Sequence, residues 1–130
     1  MALSVEDQLE IQQLYARYNH YIDSGRAEEW ADCFTADGRF SSASGDFTGR
    51  EALAGFAKGY AERLKGRHWT NNLVLEATEK GARGSCYLIL FALTGQQPPA
   101  APLVTGIYED ELVRDGGSWK FTRRTVHGDA

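Results

Sequence analysis

The chain has little of what usually announces chemistry. Among its 130 residues only two are cysteine, Cys33 and Cys86, and they form no CxxC pair. That is too few for a disulfide scaffold and the wrong spacing for a zinc ribbon. Both stand in apolar segments, where a free thiol behaves as a small buried hydrophobe. The three histidines, His20, His68 and His127, include no i,i+4 pair and have no cysteine companion, so no metal site is expected. No Gly-x-Ser-x-Gly elbow occurs, and Gly55, Gly59 and Gly66 fit no dinucleotide fingerprint. The commonest serine-hydrolase signature and the phosphate loops are therefore absent, and no cofactor is expected. Positive charge is scarce as well: 14 Lys and Arg against 18 Asp and Glu give a formal charge of −4. The basic residues are scattered apart from Arg123-Arg124, which argues against a nucleic-acid partner. Long apolar runs are missing. The strongest, Leu88 to Leu93, is far too short to cross a bilayer, and the first ten residues carry acids with no apolar h-region. No membrane association and a cytoplasmic location follow as expectations.

What is present suffices for one core. Apolar residues make up 42% of the chain, with three Trp, six Tyr and six Phe. Residues 1–130 are expected to form a single domain. Ser4 and Asp7 have the spacing of a capping box, and Ile11, Leu14, Tyr15, Tyr18 and Ile22 follow at helical intervals up to Gly25, a natural stop. A second helix is expected over about Ala27 to Phe34, burying Trp30 and Phe34. A third opens with Thr48 and Glu51 as another capping box and carries Leu53, Phe56, Ala57, Tyr60 and Leu64. Between them Arg39 to Ser44 reads as a short strand with Gly45-Asp46 as its turn. After Gly66 the period changes, and strands are expected over roughly 67–77, 82–94, 103–114 and 118–126. Asp115-Gly116-Gly117 is the strongest hairpin signal. Helices first and strands second is the α+β pattern, with helices on one face of the sheet.

The candidate acid–base residues are Asp23, His68, His20, His127, Tyr18 and Tyr87. Asp23 ends the first helix, where the helix dipole disfavours a carboxylate; it is either solvated or held by a group from another element. Tyr18 lies in the apolar stripe, so its ring faces the core or a pocket, and its hydroxyl needs a partner. His68 opens a strand in which period two puts His68, Thr70, Asn72 and Val74 on one face and Trp69, Asn71, Leu73 and Leu75 on the other. Such a polar ladder fits a sheet facing a partly polar cavity and fits an exposed face equally.

In the order and spacing of its motifs the chain resembles the SnoaL-like branch of the nuclear-transport-factor-2-like proteins. The resemblance is carried by the run from Ile11 to Asp23, by Trp30 and Cys33-Phe34-Thr35, by Gly49-Arg50-Glu51-Ala52, by Arg67-His68-Trp69-Thr70-Asn71-Asn72, by Gly106-Ile107-Tyr108, and by Gly117-Ser118-Trp119-Lys120-Phe121. It implies a conical α+β barrel, three N-terminal helices on a curved, mixed, mostly antiparallel sheet, with a pocket between the layers. In the dehydratase and dehydrochlorinase members a helix-one Asp orients a strand His that acts as base, and Asp23 and His68 stand at those positions. Tyr18 and Arg124 match further pocket positions, and Trp30, Tyr87 and Asn72 complete the expected lining. Arg124 would face the pocket only if Trp119 and Phe121 face away from it. Cys86-Tyr87 stands where scytalone dehydratase offers a second histidine, so a two-histidine arrangement is not expected.

The resemblance thus implies a cofactor-independent lyase or isomerase with an Asp–His dyad, acting on a small hydrophobic or aromatic molecule. Two alternatives stand beside it: a non-catalytic small-molecule-binding domain, and a structural small subunit like that of ring-hydroxylating dioxygenases. A homodimer is expected, with a homotrimer as the other option, assembled through an outer aromatic face of Trp69, Trp119 and Phe121.

Overall fold

In the computed structural model, which describes residues 2–130, Ser4 starts the fold. Its hydroxyl accepts the Asp7 N–H at 3.0 Å, and the Asp7 carboxylate accepts the Ser4 N–H at 3.4 Å. This reciprocal cap launches α1 (Val5–Asp23), which buries Ile11, Tyr15, Tyr18, Asn19 and Ile22 along one face. The helix stops as Gly25 takes a positive φ of 73° and the Arg26 N–H reaches back 2.9 Å to the Tyr21 carbonyl. A glycine in the left-handed region just past the last turn is a common helix ending.

The second helix is shorter than the spacing suggested. α2 covers Ala27–Ala31, and Phe34 opens β1 (Phe34–Ser42). The sheet wins because the Cys33 carbonyl accepts the Phe121 N–H at 2.9 Å, drawing the chain alongside the last strand. Trp30 and Phe34 still pack, ring centroids 5.1 Å apart. The turn after β1 lies at Ala43-Ser44, since Gly45-Asp46 belong to β2 (Gly45–Thr48), where Ser42 pairs with Gly45. Thr48 is committed to the ladder opposite Arg39, so the second capping box does not form. Gly49, at φ 89°, is the N-cap of α3 (Arg50–Arg63) and makes no side-chain cap.

β3 (Gly66–Ala77), β4 (Ala82–Ala92), β5 (Val104–Asp115) and β6 (Ser118–Gly128) complete a six-stranded sheet of order β2-β1-β6-β5-β4-β3. All neighbours are antiparallel except β1 and β6, which run parallel. The architecture is the expected α+β one, a mixed sheet with the helices on one side. The sheet is curved like a cone but not closed into a barrel, so β2 and β3 are edges.

Two bulges reset the faces that period two predicted. In β3 the register with β4 shifts between Asn71 and Val74, and Asn72 takes φ 57°. Beyond it Leu73 and Leu75 turn to the core while Val74 is exposed, so Val74 does not share the His68 face. In β6 the register jumps from Leu112 opposite Phe121 to Glu111 opposite Arg123, leaving Thr122 unpaired. Arg124 is thereby carried onto the same inner face as Trp119 and Phe121, and all three are buried. The expected outer aromatic face therefore loses Trp119 and Phe121. Trp69 remains outside, edge-on to Phe91 at 5.0 Å. Tyr87 is exposed on β4, two residues from Ile89, the residue that pairs with Trp69.

Candidate active-site groove

The end of α1 meets the edge of the sheet at one carboxylate. His68 sits on β3, which pairs with β4 on one side only, so its N–H faces outward with no strand to take it. Asp23 accepts that N–H at 3.0 Å through Oδ2 and 3.3 Å through Oδ1. The same Oδ1 lies 2.6 Å from His68 Nδ1. A carboxylate can only accept, so Nδ1 carries the proton of this bond. Among the described residues no group hydrogen-bonds Nε2. Both side chains are largely buried, at 8% and 18% exposure for His68 and Asp23. The two donors from β3 also offset the unfavourable dipole at the helix C-terminus.

This pair lines an open groove of about 760 Å³ between α1 and β3. Asn19, Thr70, Asn72 and Tyr15 share it, and its rim is richer in amides and hydroxyls than the expected apolar hollow. Of the residues singled out from sequence, Asp23, His68 and Asn72 are brought together here, with His20 at the rim. The others lie elsewhere. Tyr18, Trp30 and Arg124 are packed inside the core, and Tyr87 is 52% exposed on the outer face of β4. His127 is also on that outer side, 3.6 Å from Glu109.

Arg124 has a different setting from the pocket residue the resemblance implied, because the Thr122 bulge buries it. At 0% exposure its guanidinium lies 3.4 Å from the Tyr108 ring centroid and 4.3 Å from that of Tyr18. Nε stands 3.1 Å from Asp110 Oδ1, and Asp110 Oδ2 accepts the Tyr15 hydroxyl at 2.5 Å. Burial pushes the Asp110 carboxyl above its ordinary range, against the pull of Arg124. Nη2 donates to the Cys86 sulfur at 3.6 Å, and burial holds that thiol up at about 11 despite Arg124.

Sequence reasoning passed over Asn19 and Tyr60. Asn19 is a buried polar residue in an apolar stripe, one helical turn before Asp23 on the same face; that i,i+4 spacing was the available signal. Tyr60, on α3, sits with its ring centroid 5.9 Å from that of His68. Its hydroxyl is buried without a partner among the described residues, and burial, then Asp23, push its pKa up. Among the described residues no group of three or more His, Cys, Asp or Glu is placed to hold a metal ion, and no helix is long and apolar enough to cross a membrane.

The α+β sheet with a groove at its helix-facing edge defines a cystatin-like fold. A protein of unknown function with that fold from Nostoc punctiforme superposes with a TM-score of 0.88, covering 99% of this chain and 96% of that chain at 22% identity. The chain belongs to the SnoaL-like domain family, whose model matches residues 3–125. It is also similar to a variant of Rv3472, a protein of unknown function from Mycobacterium tuberculosis: 32% identity, TM-score 0.87, covering 95% of this chain and 72% of that chain. A third relative, from Catenulispora acidiphila and solved in complex with S-DNPA, is 27% identical with a TM-score of 0.85, covering 97% of this chain and 96% of that chain. No curated protein matches the sequence.

Proposed function

We propose that the protein is a cofactor-independent lyase or isomerase that takes a proton from carbon with His68. The observation that carries this reading is the 2.6 Å contact between Asp23 Oδ1 and His68 Nδ1. It fixes one tautomer and aims the bare Nε2 away from the carboxylate, the orienting logic of a triad without its nucleophile. Nε2 removes a hydrogen α to a carbonyl, and the C–H electron pair moves into the enolate. Returning the proton to another carbon isomerises the substrate; expelling a β-oxygen, which takes the proton from the imidazolium, eliminates water. A positioned base of this kind contributes about 10²- to 10⁴-fold in rate.

A small aromatic or hydrophobic molecule is the proposed substrate, in keeping with a family relative solved with S-DNPA. The reading carries with it a single domain acting as a homodimer in the cytoplasm. The exposed aromatics Trp69 and Tyr87 support the dimer. The test is deuterium exchange into the α-positions of 2-tetralone in D₂O, followed by proton NMR. The wild-type chain is expected to accelerate exchange, His68→Ala to lose at least about 10²-fold of that acceleration and Asp23→Asn to lose about tenfold. Exchange that both variants catalyse as fast as the wild type, with circular dichroism showing them folded, refutes the assignment.

A further inference from the structure

The sheet face turned away from the helices is divided along its strands. At one end Trp69 pairs with Ile89 and Tyr87 with Ile107, an apolar group spread over three strands. At the other end a single row crosses four. Glu76 on β3 lies opposite Arg83 on β4, Arg83 opposite Glu111 on β5, and Glu111 opposite Arg123 on β6. Directly opposed residues share a face, and all four are exposed, so the charges alternate negative, positive, negative, positive. Glu76 and Arg83 meet at 3.7 Å, whereas Glu111 and Arg123 make no ion pair among the described residues. Beyond the row Arg39, opposite Arg123, is held by Asp46 at 2.5 Å. The surface around the row is hollowed by about 440 Å³, room for long side chains from outside to enter.

We propose that this face takes a second copy of the chain in one register, across a two-fold axis that runs along the strands between β4 and β5. The inference rests on the homodimer reading and adds how its halves are set. Two features carry it. An axis across the strands lays the apolar end of each copy on the charged row of the other and strips water from unpaired charges. An axis along the strands sets apolar on apolar and row on row, the self-complementary contact that a two-fold pair requires.

The alternation of sign then fixes where that axis lies. A two-fold rotation reverses the order of the strands in the facing copy. About β4 it sets Glu76 against Glu111, and about β5 it sets Arg83 against Arg123, so like faces like. Between β5 and β6 it sets Arg83 against Arg39. Between β4 and β5 every member of the row meets its opposite, Arg83 facing Glu111 and Glu76 facing Arg123 of the other copy. Facing sheets stack about 10 Å apart with a twist of about 30°, so the contacts nearest the axis are the tightest. Arg83 meets Glu111 there twice, once on each side, and Tyr87 rests on Ile107.

The test is charge exchange in the full chain, read by sedimentation velocity. Arg83→Glu sets Glu against Glu twice across the axis, and Glu111→Arg sets Arg against Arg twice. Each is expected to raise the dimer Kd at least about tenfold, since like charges facing each other across an interface oppose association. Mixed in equal amounts, the two variants are expected to pair with each other about as tightly as the wild type does, because both contacts are then of opposite sign. The double variant keeps opposite charges side by side within each chain, which guards against a folding defect, and it is expected to dimerise with itself. Single variants as dimeric as the wild type, or a mixture that stays monomeric, overturn the register and leave the wild-type homodimer standing. A monomeric wild type removes both.

Discussion

At the scale of single residues, the buried charge pair is the most exposed to test. Arg124 and Asp110 are both out of water, and each keeps the other from standing alone. Removing one partner of a buried pair strands the remaining charge and costs about 3–5 kcal/mol, whereas replacing both with apolar residues costs far less. Arg124→Leu is expected to lose about that much in urea denaturation, and the double change with Asp110→Leu to recover most of it. Cys33 and Cys86 offer a second check. Burial pushes their thiols up to about 12 and about 11, so neither is a thiolate at pH 8. Iodoacetamide is expected to leave both unmodified in the native protein and to alkylate both in denaturant. The pairing of Asp23 with His68 was legible in the motifs carrying the resemblance. The burial of Arg124 was not, because one extra residue at Thr122 reverses the face on which every later side chain of β6 falls.

At the scale of elements, α1 depends on its first turn. Asp7 accepts the Trp119 indole N–H at 3.0 Å and also the Ser4 backbone N–H, and these bonds, Trp119 first, hold its carboxyl below the ordinary 3.8. A depressed carboxylate stabilises the folded state above its unfolded pKa, and that contribution is lost as pH falls through the folded value. Stability is therefore expected to drop below about pH 4 as Asp7 takes up a proton. Asp7→Asn, which keeps an acceptor for Trp119 but cannot titrate, is expected to show a shallower fall in Tm between about pH 5 and pH 3. Element order and the two long helices followed from apolar periodicity, and the start of α1 also from its capping box. Two of the misplaced boundaries share a cause, since at Phe34 and Thr48 pairing with another strand outweighs the local helical pattern, whereas Asn72 lies in a bulge with no ladder partner.

At the scale of the whole molecule, the helices cover one face of the sheet and leave the other bare. Trp69 is 56% exposed there and Tyr87 nearly as much. These exposed aromatics support the proposed dimer. Sedimentation velocity is expected to find a dimer that Tyr87→Asp drives toward monomer, since Tyr87 is the member of that patch away from the groove. A monomeric wild type at micromolar concentration contradicts this.

Asp23 holds the His68 imidazole through Nδ1, and long-range ¹H–¹⁵N NMR of His68 at pH 8 reads the effect of that contact directly. The expected spectrum shows Nδ1 protonated and Nε2 bare, with Asp23→Asn erasing the preference. A resonance pattern placing the proton on Nε2, or one indifferent to the Asp23 substitution, contradicts it.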